Sequence, residues 1–237
     1  MYSIVRSIAV IGFTGAVAYT GVTGAFFTDS ESSVGNVFTA GTFMGISLDS
    51  IGHITNGQFV QSGWLAGQPY GKFFEFPTVV PGDSGVRHLS LHNDNTSESA
   101  YICFNTGTIT TNTHSAGAEI TALVWRDNNF SGTWNPSEPM LTQAPVSIEN
   151  LTKIVFADST TGTPLAAEGR SDIAVAWCAG TVVANAGGNP SILPGLPGST
   201  ITCDGTSMTT QGGSYVADMI VYAEQVTNNG SFTCAGM

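Results

Sequence analysis

The sequence predicts an all-β sandwich. Short strand-forming runs recur along the chain with turn chemistry between them, which is the pattern of a sandwich. Gly is abundant at 29 of 237 residues, and Ser, Thr and Asn are plentiful, which favours strands and turns over helices. Only 10% of residues are charged, against about a quarter in ordinary globular chains. The length suits one large all-β domain or two small ones, with material for a sizeable core. The chain divides into a leader over residues 1–25, an N-terminal strand and hinge over 26–37, and a single sandwich domain over 38–237.

The leader has the three parts of a secretory signal. Arg6 supplies the positive region, and Ile8–Val22 is an apolar run weakened by Gly12, Gly15 and Gly21. Thr23 and Ala25 are small residues placed for a cut before Phe26. The run is short and Gly-rich for a spanning helix, so cleavage is expected and membrane contact is confined to the precursor.

Phe26 and Phe27 open the mature chain, and Thr28–Gly35 reads as a solvated turn. Val37–Leu48 follows as the first strand of the body, marked by Val37, Phe38, Phe43, Ile46 and Leu48. Ile54–Tyr70 is a Gly-rich hairpin region. Phe73–Val80 is a strand stopped by Pro81-Gly82-Asp83, where Pro presets φ and Gly accepts φ > 0. Val86–Asn93 alternates, with Leu89 and Leu91 on one side and His88, Ser90 and His92 on the other. The two His are read as exposed. Ala100–Asn105 and Ile120–Arg126 are strands, and Val146–Phe156 is either partly helical or a short strand. Ser171–Cys178 is a continuous apolar strand, and Gly180–Ser199 is a long Gly/Pro-rich loop. Tyr215–Val226 is the longest strand candidate, and Phe232–Cys234 docks after it.

Charge and cysteines narrow the function classes. Six Lys+Arg against 17 Asp+Glu give a formal charge of −11, which argues against nucleic-acid and anionic-membrane partners. The four Cys form no C-x-x-C, so a zinc knuckle or redox motif is not supported. An even count behind a leader reads as two disulfides in an oxidising compartment. Three pairings are possible. Cys178–Cys203 is favoured because it closes the Gly/Pro-rich loop, leaving Cys103 with Cys234.

The sharpest local motif is Asp127–Glu138, DNNFSGTWNPSE. It matches the calcium-loop pattern at Asp127, Asn129, Ser131, Gly132 and Glu138. Thr133 would offer its carbonyl, and Asn135 sits at the ninth position. Calcium ions take six to eight hard oxygens and commonly a bidentate carboxylate at the loop's end. Two charged ligands predict weak affinity. The flanks look like strand, so this would be a Ca²⁺ loop on a β scaffold. The N-x-[ST] sites at Asn95, Asn129, Asn150 and Asn229 are glycosylation candidates, with Asn129 claimed by the loop instead. Gly82–Val86, GDSGV, resembles a serine-protease nucleophile motif, but no His-Asp pair supports it. No enzyme is expected.

The stretch Gly24–Asp49 carries a resemblance. Ala25, Phe26, Phe27, Asp29, Asn36, Phe38, Ala40, Gly41, Thr42, Ile46 and Leu48 are similar to the start of the mature chain in the TasA/camelysin family. The later run from Pro81-Gly82-Asp83 through the alternating strand to Ala100-Tyr101 is similar to that family as well. The resemblance implies a jelly roll with loop or short helical insertions, secretion through a dedicated signal peptidase, and assembly into biofilm-matrix fibres. The expected function is therefore a secreted structural subunit that polymerises head to tail with copies of itself. Its N-terminal segment would add as a strand to the next subunit, with Phe26, Phe27, Val34 and Val37 filling the groove. A calcium-dependent surface adhesion module is the second class. A camelysin-like extracellular protease is the third, disfavoured because the chain has no H-E-x-x-H.

Overall fold

The computed structural model describes residues 28–32, 46–49, 53–60 and 72–237. Its strands are β1 (Thr28–Ser32), β2 (Ile46–Asp49), β3 (His53–Thr55), β4 (Gln58–Val60), β5 (Phe74–Val79), β6 (Ser84–Asn93) and β7 (Ala100–Asn112). They continue as β8 (Ile120–Arg126), β9 (Val146–Ser147), β10 (Ile154–Ala157), β11 (Arg170–Ala179), β12 (Thr181–Ala184), β13 (Ile201–Asp204) and β14 (Gly213–Gln225). A single-turn helix α1 (Ala116–Glu119) and short 3₁₀ turns are the helical insertions.

The strands build two facing antiparallel sheets. One has the order β5-β14-β7-β10, and the other has the order β6-β11-β8-β9. From β5 onward the chain crosses repeatedly between them, with β8 and β9 successive in the second sheet, and β14 returns to lie between β5 and β7. This is jelly-roll connectivity, two Greek keys closed on one core. Strands β2 and β3 add to β6, and β4 pairs with β3 as a hairpin turned at Asn56-Gly57.

Alternation drives the inner layer. Tyr215, Ala217, Met219, Val221 and Ala223 of β14 face Leu89 and Leu91 of β6 and Ile173, Val175 and Trp177 of β11 in one core. Phe76 of β5 meets Trp177 of β11 across the sheets, with ring centroids 4.4 Å apart. The second sheet is also covered outside, by Val182 and Ile201 of the β12–β13 hairpin and by Trp134 and Met140. That double burial explains the unbroken apolar run in Ser171–Cys178.

The same covering corrects two sequence expectations. His88 is 7% exposed, because Phe130 packs edge-on at 4.9 Å above it. The outer face of β6 is therefore interior there. Gly180–Ser199 is not wholly loop, since β12 pairs with β13 within the cover. The Val146–Phe156 segment resolves into β9, a 3₁₀ turn and β10. The Val37–Leu48 expectation is met by strand at Ile46–Asp49, and its earlier part lies outside the described residues.

Disulfides staple the layers. Cys178–Cys203, with Cα atoms 5.4 Å apart, ties β11 to the covering hairpin. Cys103–Cys234, with Cα atoms 5.7 Å apart, ties β7 to the chain end, where Phe232 stacks on Tyr101.

Candidate functional site

Two places carry functional candidates: the outer edge of β14 and the Asp127–Glu138 loop.

Strand β14 is lined by β7 along one edge. Its other edge is shared by two collinear strands. β5 covers Gly213–Ala217, ending with Phe74 opposite Ala217, and β1 covers Ile220–Glu224, beginning with Ser32 opposite Ile220. Both run antiparallel to β14, so they run parallel to each other. Asp218 and Met219 form the seam between them. The strand β1 reads TDSES, residues depleted from strands. Its pairing puts Asp29 across from Ala223 and Glu31 across from Val221, two buried core positions. This corrects the expectation of a solvated turn at Thr28–Gly35: the open edge of β14 imposes strand on residues 28–32. Phe26, Phe27, Val34 and Val37 lie outside the described residues.

The Asp127–Glu138 loop leaves the end of β8 and is pinched at its base, where the Arg126 N–H donates to the Pro139 carbonyl at 3.0 Å. Asp127 is fully buried. Its carboxylate accepts the N–H groups of Ser131 at 3.1 Å and Gly132 at 2.8 Å. The Ser131 N–H is shared with Asn129 Oδ1 at 3.0 Å, which draws the oxygens of Asp127 and Asn129 to the same turn. Ser131 Oγ lies 3.1 Å from the Thr133 carbonyl oxygen. Gly132 holds φ at 71°, and a Cβ there would stand 2.4 Å from His88 Nε2, so the imidazole and the loop fit only around glycine.

At the other end, the Glu138 carboxylate accepts the N–H groups of Asn128 and Asn135 at 3.0 and 2.9 Å. Burial, with the Asp127 charge adding to it, pushes the Glu138 carboxyl above its ordinary range. Across from Asp127 among the described ion-pair contacts stands His88, whose Nδ1 is 3.8 Å from Oδ2. Burial pushes that imidazole down toward its neutral form. Asn135 Oδ1 accepts from Ser137 instead. The loop thus gathers hard oxygens from Asp127, Asn129, Ser131 and Thr133, with Glu138 beside Asp127. Such a set suits Ca²⁺ rather than a transition metal. Among the described residues, no group of three or more His, Cys, Asp or Glu side chains forms a metal cluster, so neutral oxygens would complete any coordination here.

The glycosylation candidates separate. Asn150 is exposed. Asn229 is 6% exposed, and its Nδ2 donates to the Gln225 carbonyl at 3.0 Å. Asn95 is half-buried in its own turn, where its Oδ1 accepts the Ser97 N–H at 2.9 Å.

No helix among the described residues is long and apolar enough to cross a membrane. No family model, curated protein or solved structure matches the chain.

Proposed function

We propose that this chain is a secreted structural subunit that polymerises into extracellular fibres by passing its N-terminal strand to the next copy. One observation carries the reading: β1 occupies the half of the β14 edge that β5 leaves open. A strand held at an edge by backbone pairing can be exchanged for the same strand of another copy with little net change in hydrogen bonding. Such a head-to-tail contact does not close on itself, so it propagates as a filament. Vacating the slot leaves a row of unpaired backbone groups on β14, which makes refilling favourable. The two disulfides fit an oxidising, extracellular setting, and the resemblance over Gly24–Asp49 points the same way. The test is negative-stain electron microscopy of the purified mature protein beside a variant lacking Phe26–Gly35. Fibres from the first and none from the second support the reading, and discrete particles from both overturn it.

A second reading is a calcium-dependent surface binding module. It is favoured by the buried, paired carboxylates of Asp127 and Glu138 in a loop of converging oxygens. Removal of the loop separates the two readings. Fibres that form but no longer adhere would favour the module.

A further inference from the structure

We propose that the Lys72–Asp218 ion pair is the register stop of the β14 edge. It holds the start of β5 on β14, and it ends at Ile220 the slot that accepts an N-terminal strand. The inference rests on the strand-passing reading only for which copy supplies that strand.

Position comes first. Phe74 pairs with Ala217, and Ser32 pairs with Ile220, leaving Asp218 at the junction of the two covers. Lys72 stands two residues ahead of Phe74. Because β1 and β5 run in the same direction along one edge, a strand sliding past Ile220 toward Gly213 must meet Lys72. The Lys72 ammonium donates to Asp218 Oδ1 at 2.8 Å.

The pair is also strongly held. The Asp218 side chain is fully buried and that of Lys72 is 21% exposed. Among the described residues Asp218 Oδ2 is buried without a hydrogen-bond partner, and the Lys72 ammonium is the charge beside this carboxylate. Withdrawing Lys72 would leave an uncompensated charge in the interior, which is strongly unfavourable. The start of β5 is therefore pinned where backbone pairing alone would fray.

The seam is built into the neighbouring strand as well. The β7–β14 ladder shifts register between Val216 and Ala217 and again between Ala217 and Met219. Such irregularities pin a strand's register and stop it sliding. Gly107 of β7 faces the seam, and a Cβ there would stand 2.8 Å from Ile220 Cγ1 and 3.1 Å from Asp218 Cβ. The missing side chain is what lets Asp218 and Ile220 seat side by side. Two residues on one strand, one stop and one slot terminus, thus share one cradle.

The device gives the edge a division of labour. β5 stays, because it is ionically pinned. β1 is held by backbone pairing with a sequence poor in strand formers, and it is the part that leaves. An incoming strand finds a slot of defined end, so every copy docks in the same register. Register is otherwise weakly specified in polar strands.

Cysteine cross-linking in the full mature chain tests this. Ser32→Cys with Ile220→Cys reports the in-register strand. Ser30→Cys with Ile220→Cys reports a strand moved two residues toward β5, with Ser32 opposite Asp218. With the ion pair intact, the first combination closes and the second does not. With Lys72→Met and Asp218→Leu together, which remove both charges, closure of the second rises at least severalfold. Lys72→Arg, which keeps the charge, restores the selective pattern. Hydrogen exchange is the second readout. Lys72→Gln accelerates exchange of the Phe74–Val79 amides and leaves those of Ala100–Phe104 unchanged. Equal closure of both combinations with the pair intact, or no gain after its removal, overturns the stop. Failure of Ser32→Cys with Ile220→Cys to close in any background overturns the placement of β1, and the strand-passing reading with it.

Discussion

Ser32 stands opposite Ile220 on β14, and three positions along the same edge Phe74 stands opposite Ala217. One strand edge is thus served by two segments that are far apart in sequence. The apolar segment, β5, belongs to the core. The polar segment, β1, contributes backbone pairing to an edge that would otherwise be open.

Removing Phe26–Gly35 should expose half of that edge and leave the other half intact. Amide exchange at those residues of Ile220–Glu224 whose N–H groups point toward β1 rather than β7 is expected to rise by orders of magnitude relative to the full chain, while Gly213–Ala217 stays protected under β5. Exchange mass spectrometry reads both in one experiment. Equal loss along the whole of β14 would show that β1 and β5 unfold together.

The disulfides should differ in weight. In the chain-entropy account, the 131-residue separation of Cys103 and Cys234 contributes about 5 kcal/mol. The 25-residue separation of Cys178 and Cys203 contributes about 3.5 kcal/mol on the same basis. Paired Cys→Ser variants, unfolded in denaturant, should show the larger loss for Cys103 and Cys234. The reverse order would mean that the covering hairpin is the more fragile layer.

Glu119 predicts part of the acid limb of stability. Its carboxylate accepts the hydroxyl and N–H groups of Thr209 and Thr210. These bonds, the Thr209 hydroxyl foremost, hold its pKa at about 2 against an ordinary 4.5. A depressed carboxyl stabilises the fold above its unfolded pKa and loses that contribution as pH falls toward the folded value. Glu119 is half-buried at the protein surface, where solvent screening keeps the effect small. Thermal unfolding between pH 4.5 and 2 should be steeper in pH for the native chain than for Glu119→Gln. Parallel curves would remove Glu119 from the account.

Calcium should stabilise the chain weakly, with Kd on the order of 0.1–1 mM for a site with few charged ligands. Calorimetric titration and the rise of Tm with Ca²⁺ both read it. Asp127→Asn should abolish the rise. The pH dependence has a definite sign. Glu138 is raised by burial and by Asp127, so without a cation stability falls as pH climbs through its ionisation. Calcium should cancel that fall, giving a larger Tm increment at pH 7 than at pH 4. An increment that is unchanged with pH, or that survives Asp127→Asn, would place the ion elsewhere.

The legibility of the fold followed the local signals. Ile120–Arg126 was readable residue for residue, because its apolar run is closed by the polar turn that begins at Asp127. The stop at Pro81-Gly82 and the long strand at Tyr215 were readable from turn chemistry and alternation. His88 was misread because alternation divides a strand into two faces without saying what lies over the second. Here that cover comes from Phe130 and Gly132, some forty residues later in the chain. The strand at Thr28–Ser32 was misread for a different reason. TDSES has turn composition, and only the vacancy beside Ile220–Glu224 makes it a strand. The turn that joins Asp127, Asn129, Ser131 and Gly132 was legible from spacing, whereas the Lys72–Asp218 pair joins residues 146 apart and left no local mark.

The most direct measurement of strand passing mixes two kinds of copy. One carries only Ser32→Cys and the other only Ile220→Cys. A bond between these positions can then form only between copies. If each chain donates its N-terminal strand to the next, fibres grown from the mixture and oxidised will yield covalent dimers on a denaturing gel. If no dimer forms in the mixture, while a chain carrying both substitutions closes within itself, the strand stays in its own domain and the polymer account is wrong.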